Sequence, residues 1–404
     1  MRIRYGSERL GWGRHGLVYV ATATMAAHDA DVGQAFAMKK TPVTNHVRHP
    51  MLLHEACALV LLGEHPGIPK VVGWGRSQYF EYLVMERLGP NLEDTVNKIG
   101  ATQLTQRNLV ILICQMLVVV EHVHESGIVH CDLKPRNFVF GTGENTGRLH
   151  LIDFGLSRPW IDPTGQPFPE ESNCGFRGTT QFASRNVHLR HTPSRRDDME
   201  SLAYIVVKLL MGTLPWADTR SDDELLSIIY AHTGSTLCQG YDDVFAQFVD
   251  YARSLQYEDT PRYQYWRCAF RQLIPGLSED ASFDPDDASE PRVGVQKNFD
   301  RLRSENWPKP AKRTDSDPFL ESVLGGDSRS LDGGRHGFIP NLGSTWSCGE
   351  AIRAGDLFGD EFAIVKANLE FIDAPPDYTR GSCTYPGAAP PETMKNTQFD
   401  AKCI

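Results

Sequence analysis

The chain has 404 residues, enough for one large domain or two smaller ones, and 41% of them are hydrophobic, so it can bury a sizeable core. A formal net charge of −10 argues against nucleic acid or an anionic membrane as the main partner. The nine cysteines are scattered without metal-ligand spacing, which favours reduced thiols and a cytoplasmic or nuclear location. The first residues carry no apolar signal segment, and the longest apolar run, Leu109–Val120, is too short to span a bilayer.

The N-terminal part of the chain, up to about Met85, has mainly strand character. The β-rich segments LVYVATATM and QAFAMKK are separated by the turn-like HDADVG. One helix is predicted across HPMLLHEACALVLLGEH, and strand character returns in VVGWGRSQYFEYLVMERL. This order predicts a β-rich unit that contains a single helix.

The following part is dominated by helices. NLVILICQMLVVVEHVHESG is apolar nearly all round, which predicts a buried helix that stops near Gly127. DDMESLAYIVVKLLMG predicts a second one, with Asp197 or Asp198 as its N-cap and Gly212 after its end. VFAQFVDYARSL and YQYWRCAFRQLI predict further helices, so we expect a large helical lobe.

The composition changes after about Leu277. SEDASFDPDDASEP is acidic, and the remaining residues are rich in Gly, Pro, Ser and Asp, which predicts a mostly disordered tail. One segment of this tail, FGDEFAIVKANLEFI at Phe358–Ile372, is apolar enough to be a short ordered region or a docking peptide.

Three glycines near the N-terminus, Gly11, Gly13 and Gly16, form a G-x-G-x-x-G pattern that is followed by Val18. Glycines let a backbone approach phosphate groups without a Cβ clash. The pattern alone is weak, because dinucleotide-binding folds use it as well. Here a strand pattern follows the glycines, whereas a dinucleotide-binding loop opens a helix.

Two charged residues could form a pair that binds phosphate groups. Lys39 follows an alternating strand pattern in AFAMKK, and Glu55 lies among apolar residues of the predicted helix. Each is more simply an exposed surface charge when taken alone. As a pair, the helix Glu can hold the strand Lys so that its ammonium reaches the α- and β-phosphates of ATP.

The segment IVHCDLKPRNFVFG contains Asp132, Lys134 and Asn137, and LIDFGLS contains Asp153. Asp132 is predicted to accept the proton of a substrate hydroxyl while Lys134 stabilises the γ-phosphate. Asn137 and Asp153 offer the hard oxygen ligands that Mg²⁺ prefers. The order of these motifs along one chain predicts phosphoryl transfer from Mg-ATP.

These motifs resemble those of eukaryotic protein kinases, and the finer features are similar to the casein kinase 1 family. The resemblance covers roughly Ile3 to Leu273. It is carried by RHPMLLHE at Arg48–Glu55, MERLGPNLED at Met85–Asp94, RGTTQFASRNVH at Arg177–His188, SRRDDMESLAY, GTLPW and CQGYDDVFAQFVDYARSLQYEDTPRYQYW.

The resemblance implies an α+β, two-lobed fold with a small β-rich lobe at 1–88, a larger helical lobe at 89–278 and a tail at 279–404. ATP would bind in the cleft between the lobes, with Met85 as gatekeeper and with hinge hydrogen bonds from Glu86 and Leu88. Asp198 would anchor the catalytic loop. Lys134 implies serine or threonine acceptors on protein substrates, and the catalytic domain is expected to be monomeric.

Departures from the family pattern affect regulation and substrate choice. Cys131 stands where many kinases have an arginine that binds a phosphate on the activation segment. Gln181 replaces an arginine, and the acidic run Asp222–Glu224 replaces a lysine-rich one, so the family's preference for acidic or phosphorylated substrates is in question. Arg158, Arg177 and Arg185 are the cations that could compensate.

A further departure is the short N-terminus, which suggests a clipped first strand. We therefore expect an active serine/threonine kinase of casein kinase 1 type. Two alternatives stay open from the residues, namely a catalytically weak pseudokinase that acts as a scaffold through its tail and a small-molecule phosphotransferase of related fold.

Overall fold

The computed structural model describes residues 2–13, 16–25, 32–43, 51–77, 79–100, 104–219, 221–293 and 370–372. The described strands are β1 Arg2–Gly13, β2 Gly16–Met25, β3 Ala35–Pro42, β4 Val71–Arg76, β5 Phe80–Glu86, β6 Ile128–Val129, β7 Phe138–Phe140, β8 Leu149–Leu151, β9 Arg158–Pro159 and β10 Glu370–Ile372. The described helices are α1 Met51–Leu62, α2 Leu92–Ile99, α3 Gln106–Glu125, α4 Arg185–His188, α5 Arg195–Met211, α6 Asp222–Ala231, α7 Gly234–Leu237, α8 Asp243–Ser254 and α9 Tyr263–Arg271. Most of the predicted tail, and part of the predicted HDADVG turn, lie outside the described residues.

The N-terminal lobe is a six-stranded sheet in the order β10-β1-β2-β3-β5-β4. Strands β1 to β5 pair antiparallel, and β10 joins the edge at β1 in parallel. The expectation of a clipped first strand is wrong. β1 begins at Arg2, runs for 12 residues and pairs with β2 from Arg2↔Met25 to Gly13↔Gly16.

Helix α1 lies against one face of this sheet. Its sequence, MLLHEACALVLL, is rich in leucine and alanine, which favour helix. It contacts β4, β5 and the short 3₁₀ turn Phe154–Leu156, so its apolar residues are buried on more than one side. This position brings Glu55, in the middle of the helix, beneath the sheet.

The C-terminal lobe is helical, and α3 and α5 form its centre, which confirms the predicted two-lobed α+β architecture. Helix α3 begins after Thr105, whose Oγ1 accepts the Asn108 N–H, and ends before Gly127, which has a positive φ of 77°. By length and composition α3 could cross a membrane, but 67% of its apolar window is buried inside the protein. Helix α3 is therefore a buried core helix.

The N-cap of α5 differs from the sequence prediction. Ser194 caps the helix, and Asp197 is the third helical residue, whose Oδ2 accepts the Ser194 N–H at 2.7 Å. This contact is one half of a capping box, in which the third helical residue accepts the N–H of the N-cap residue. Asp198 does not cap the helix and is available for a different contact, described below. Gly212 ends the helix in the left-handed conformation, as predicted.

Packed structure continues past residue 278, where the helical lobe was predicted to end. The Asn108 side chain donates to the Asp284 carbonyl at 2.6 Å, and Val293 N–H donates to the Leu104 carbonyl at 2.8 Å. Phe283 is 5% exposed and stacks on Phe140. The ordered lobe therefore extends at least to Val293, because these residues cover the N-terminal end of α3.

Candidate active site

The glycine-rich segment forms the hairpin between β1 and β2. Gly13 pairs with Gly16, and Gly16 has a φ of +127°. A Cβ on Gly16 would lie 2.4 Å from the Lys40 carbonyl oxygen, so only glycine fits this position. A Cβ on Gly11 would meet nothing within 4 Å, so its glycine leaves open space on the sheet surface. The register sets Val18 opposite both Gly11 and Lys39.

The structure brings Lys39, Glu55 and Asp153 together from three separate elements. Lys39 Nζ donates to Glu55 Oε2 at 2.7 Å and to Asp153 Oδ1 at 2.6 Å. Burial alone would lower the pKa of the Lys39 ammonium, but the two carboxylates outweigh burial and raise it. Burial also raises the pKa of Glu55, although the Lys39 charge opposes that change. The ammonium is therefore charged, and its position is fixed.

The catalytic loop is a second cluster, organised around Asp132. Lys134 Nζ donates to Asp132 Oδ2 at 2.6 Å and to Thr179 Oγ1 at 3.0 Å. The Thr179 hydroxyl donates to Asp132 Oδ1 at 2.7 Å. Asp132 is 7% exposed and accepts a hydrogen bond from a hydroxyl group, which is the kind of contact that a general base makes with its substrate.

The predicted metal ligands lie on linked segments. The Asn137 side-chain NH₂ donates to the Asp132 carbonyl at 2.8 Å, and the Ile152 N–H donates to the Asn137 carbonyl at 2.9 Å. Ile152 immediately precedes Asp153, so the backbone bond holds the two predicted ligands in register. Because the side-chain NH₂ of Asn137 donates to a carbonyl, the side-chain oxygen is the atom of this residue that can bind a metal ion. One carboxylate and one amide oxygen fit Mg²⁺, which completes its shell with water and phosphate oxygens.

Asp198 anchors the catalytic loop from inside α5. Its carboxylate accepts the backbone N–H of His130 at 2.7 Å and that of Cys131 at 2.9 Å. It also contacts His124 Nε2 at 2.9 Å. Burial alone would raise the pKa of Asp198, but these hydrogen bonds outweigh burial and lower it. The anchoring role that the sequence resemblance implied for this residue agrees with these contacts.

His130 joins the loop to the strand before Asp153. Its Nδ1 lies 3.2 Å from the Asp132 N–H, which donates to it, and its Nε2 lies 3.1 Å from the Ile152 carbonyl. These two contacts assign a neutral ring with the proton on Nε2. The ring also packs edge-on against Phe154, which is fully buried.

The predicted hinge lies at the end of β5. Met85 is half-buried and packs against the main core. The Glu86 N–H donates to the Lys70 carbonyl at 2.9 Å, so a hinge hydrogen bond to adenine from Glu86 requires its carbonyl. Leu88 follows in irregular chain, and the Gly89 N–H then donates to the Phe140 carbonyl at 2.8 Å, which ties the linker to the C-terminal lobe.

A family model described as a protein kinase domain matches residues 6–255. The chain belongs to the protein kinase family. A kinase domain implies a phosphotransferase that uses ATP and a divalent metal and acts on protein substrates. The match includes the glycine hairpin, the lysine cluster and the catalytic loop.

Sequence reasoning missed one residue of the kinase site. Thr179 bridges Asp132 and Lys134, although only the surrounding RGTTQFAS pattern was singled out. Thr179 lies within that pattern, two residues after Arg177. Its contacts reach residues more than forty positions earlier in the chain, and a local sequence pattern does not reveal such contacts. The neighbouring Gly178 has a φ of +113°, which fixes the backbone before Thr179.

The cysteine in the catalytic loop is not activated. Cys131 has a positive φ of 66°, and its Sγ lies 3.7 Å from the Val129 carbonyl. Burial, with the nearby Asp198 carboxylate, raises the pKa of the Cys131 thiol far above its usual range. The thiol therefore stays protonated and packed, and it is not a nucleophile at neutral pH.

The residues that depart from the family at the substrate side have structural partners. The Gln181 side chain donates to the Ala217 carbonyl at 2.9 Å. Arg185 donates to the buried Glu200 at 3.1 Å, so its charge is already compensated inside the lobe. Asp222 begins α6, where acidic residues stabilise the helix N-terminus, and it lies 3.2 Å from Arg190.

Proposed function

We propose that this kinase is an active serine/threonine kinase of casein kinase 1 type that transfers the γ-phosphoryl group of Mg-ATP to protein hydroxyls. The observation that supports it most is the formed ion pair between Lys39 and Glu55 at 2.7 Å. In protein kinases this pair must be in place for catalysis. Here the pair is present together with the Asp132 cluster in one arrangement.

The chemistry follows from the positions of the charges. Asp132 orients the substrate hydroxyl and takes its proton as the hydroxyl oxygen bonds to the γ-phosphorus and the bond to the bridging oxygen of ADP breaks. Lys134, within hydrogen-bond distance of Asp132, neutralises negative charge on the transferred group. Lys39 positions the α- and β-phosphates. Asp153 and Asn137 would hold magnesium, which would supply charge neutralisation on the phosphates.

The adenine side of the cleft is assigned by the same reasoning. Gly11, Gly13 and Gly16 cover the phosphates, and Val18 packs over the base from the strand face that carries Lys39. Met85 closes the back of the pocket, while Glu86 and Leu88 bond to adenine. A serine or threonine acceptor is proposed because Lys134 occupies the position two residues after the base.

Substrate choice is proposed to differ from that of the casein kinase 1 family. Arg185 is held by Glu200, and Gln181 carries no charge. Arg158 and Arg177 donate to the carbonyls of Pro159 and Leu156 at 3.3 Å and 3.4 Å. Because Gln181 is uncharged and the charge of Arg185 is compensated by Glu200, two positions that could bind a substrate phosphate offer no free charge, so we expect little preference for primed acceptors.

The test is transfer of labelled phosphate from Mg-ATP by the purified chain, with Asp153→Ala as the inactive variant and the exposed Asp243→Asn as a matched control. Acceptors are casein, dephosphorylated casein and a basic protein, and phosphoamino acid analysis identifies the acceptor. We expect transfer to serine or threonine that requires Asp153 and is equal for both forms of casein. Transfer to tyrosine would overturn the assigned acceptor class.

Two outcomes would favour the alternatives. A nucleotide-dependent thermal shift without transfer to any acceptor would favour a pseudokinase scaffold. Turnover on a panel of metabolites with none on proteins would favour a small-molecule phosphotransferase.

A further inference from the structure

The sheet of the N-terminal lobe has a second apolar face, on the side opposite Lys39. Phe36 and Met38 alternate with Lys39 along β3 and therefore point to this side. We call it the outer face. Its buried members, each no more than 3% exposed, are Ile3, Ala21, Ala23, Phe36, Met38, Tyr82 and Val84.

The strands bury part of this face from within the sheet, where Lys40 Nζ lies 3.8 Å from the centre of the Phe80 ring and 5.5 Å from that of Tyr82. Every member of the outer face belongs to β1, β2, β3 or β5, and the half-buried residues packed against it are also in or beside the sheet. Helix α1 carries Glu55, which bonds to Lys39, so α1 covers the opposite face. A single sheet layer leaves one face in water unless a second layer lies on it. Among the described residues, the hydrophobic side chains packed against Ile3, Ala21 and Met38 all belong to the sheet, so another segment of the protein can add to their burial.

One distant segment reaches the same sheet. Strand β10 pairs in parallel with the start of β1, in the register Arg2↔Glu370, Ile3↔Phe371 and Arg4↔Ile372. An acidic residue thus stands opposite an arginine, and a phenylalanine stands opposite the fully buried Ile3. Without β10, β1 would be an edge strand with unpaired N–H and C=O groups.

We propose that Phe358–Ile372 is an intramolecular docking element that covers the outer face and adds its last strand to the edge of the sheet. The segment contains the apolar stretches FAIV and LEFI within a region otherwise rich in Gly, Pro, Ser and Asp. The sequence that follows, DAPP, suits the end of a strand because proline cannot donate to a ladder.

The chain between Val293 and β10 is long enough to allow this contact. At about 3.3 Å per residue its extended length is roughly 250 Å, several times the diameter of a kinase lobe. The recognition is β-strand addition, in which main-chain bonds give affinity and alternate side chains give specificity. Since β1 leads directly to Gly11 and Gly13, docking at Arg2–Arg4 holds the strand that carries the nucleotide-binding hairpin.

Hydrogen exchange on the full chain tests the docking. Phe371→Pro removes an N–H from β10 and disfavours the strand, whereas Thr345→Pro makes the same kind of change elsewhere in the C-terminal region. We expect amides between Arg2 and Tyr5 on the β10 side to exchange at least tenfold faster in F371P, with a lowered Tm, and no change in T345P. Equal exchange in both variants and the wild type would overturn the proposal.

A second measurement uses the unmodified protein and does not depend on a variant that folds. Lys366 lies within the docking element, and the N-terminal amine lies one residue before β1. An amine-reactive cross-linker of about 11 Å applied to a mixture of light and isotopically heavy chains should link Lys366 to the N-terminus within one chain. Links found only between light and heavy chains would assign the strand to a second copy, and absence of any such link would also contradict the proposal.

Discussion

Replacement of Asp198 by asparagine tests what holds the catalytic loop in place. The carboxylate accepts the N–H groups of His130 and Cys131 and contacts His124, all at 2.9 Å or less. Asparagine keeps the shape of the side chain but replaces one oxygen with a donating NH₂. At least one buried N–H then loses its acceptor and faces another donor.

The magnitude can be worked from these contacts. A hydrogen bond to a charged group contributes about 1.5–3 kcal/mol, and a buried donor left without an acceptor costs about 1–3 kcal/mol. The substitution weakens the bonds that remain as well as removing one, so the free energy of unfolding should fall by about 3–5 kcal/mol. Small domains have only about 5–15 kcal/mol in total, so the variant should fold but be clearly less stable.

The assay is urea unfolding of D198N beside the wild type and Asp243→Asn, an exposed residue in the first turn of α8. The control should change the free energy of unfolding by less than about 0.5 kcal/mol. Because the folded pKa of Asp198 is lowered, its stabilisation is complete above the unfolded pKa and is lost as the pH falls through the folded value. The difference between D198N and the wild type should therefore shrink in acid, below about pH 4. A difference under about 1 kcal/mol at pH 7 would refute the anchoring argument.

Three further predictions concern the loop and the pH dependence. Asp132→Asn should abolish phosphotransfer while nucleotide binding survives in a thermal-shift assay, and loss of binding would contradict its assignment as the base. Cys131→Arg should change the transfer rate by less than about tenfold, since the Cys131 side chain touches no reacting group; a rise of several hundredfold would mean that the wild type is a crippled enzyme. Burial and the nearby His122 lower the pKa of His65 to about 4, and its Nδ1 accepts the Gly67 N–H at 3.0 Å. Folding therefore favours the neutral ring, and the free energy of unfolding should decline by about 1–2 kcal/mol as the pH falls from 6.5 towards 4, after allowance for solvent screening. His65→Gln should flatten this part of the pH profile of the free energy of unfolding, measured with urea. An unchanged slope would contradict the argument.

The features that the sequence predicted well are those set by local pattern. Helices α1 and α3 follow from long stretches of mainly apolar residues, and the glycine hairpin follows from the strand pattern beside it. The pairing of Lys39 with Glu55 was predicted because a helix Glu that holds a strand Lys fits the phosphate-binding role indicated by the other motifs, although each charge alone resembled an exposed surface residue. Such features can be predicted because the residues that indicate each of them lie within one short stretch of the sequence.

The features that the sequence did not predict depend on contacts between residues that are distant along the chain. The N-cap of α5 is Ser194, and Asp197 instead accepts the Ser194 N–H and the hydroxyl of Ser184 on another segment. Phe283 looked like part of an acidic tail, but it is buried against Phe140. Neither outcome can be read from propensity, because the decisive partner lies elsewhere in the chain or on another element.

The altered position in the catalytic loop can be understood from the backbone. Residue 131 contributes to the loop through its N–H, which donates to Asp198, and through its carbonyl, which lies against Gly178. A Cβ on Gly178 would come within 2.7 Å of that carbonyl oxygen, so the activation segment contacts the loop backbone directly. Both contacts are independent of the side chain at 131. We therefore infer that Asp198 and Gly178 set the position of the loop and that a phosphate-binding arginine is not needed for this arrangement.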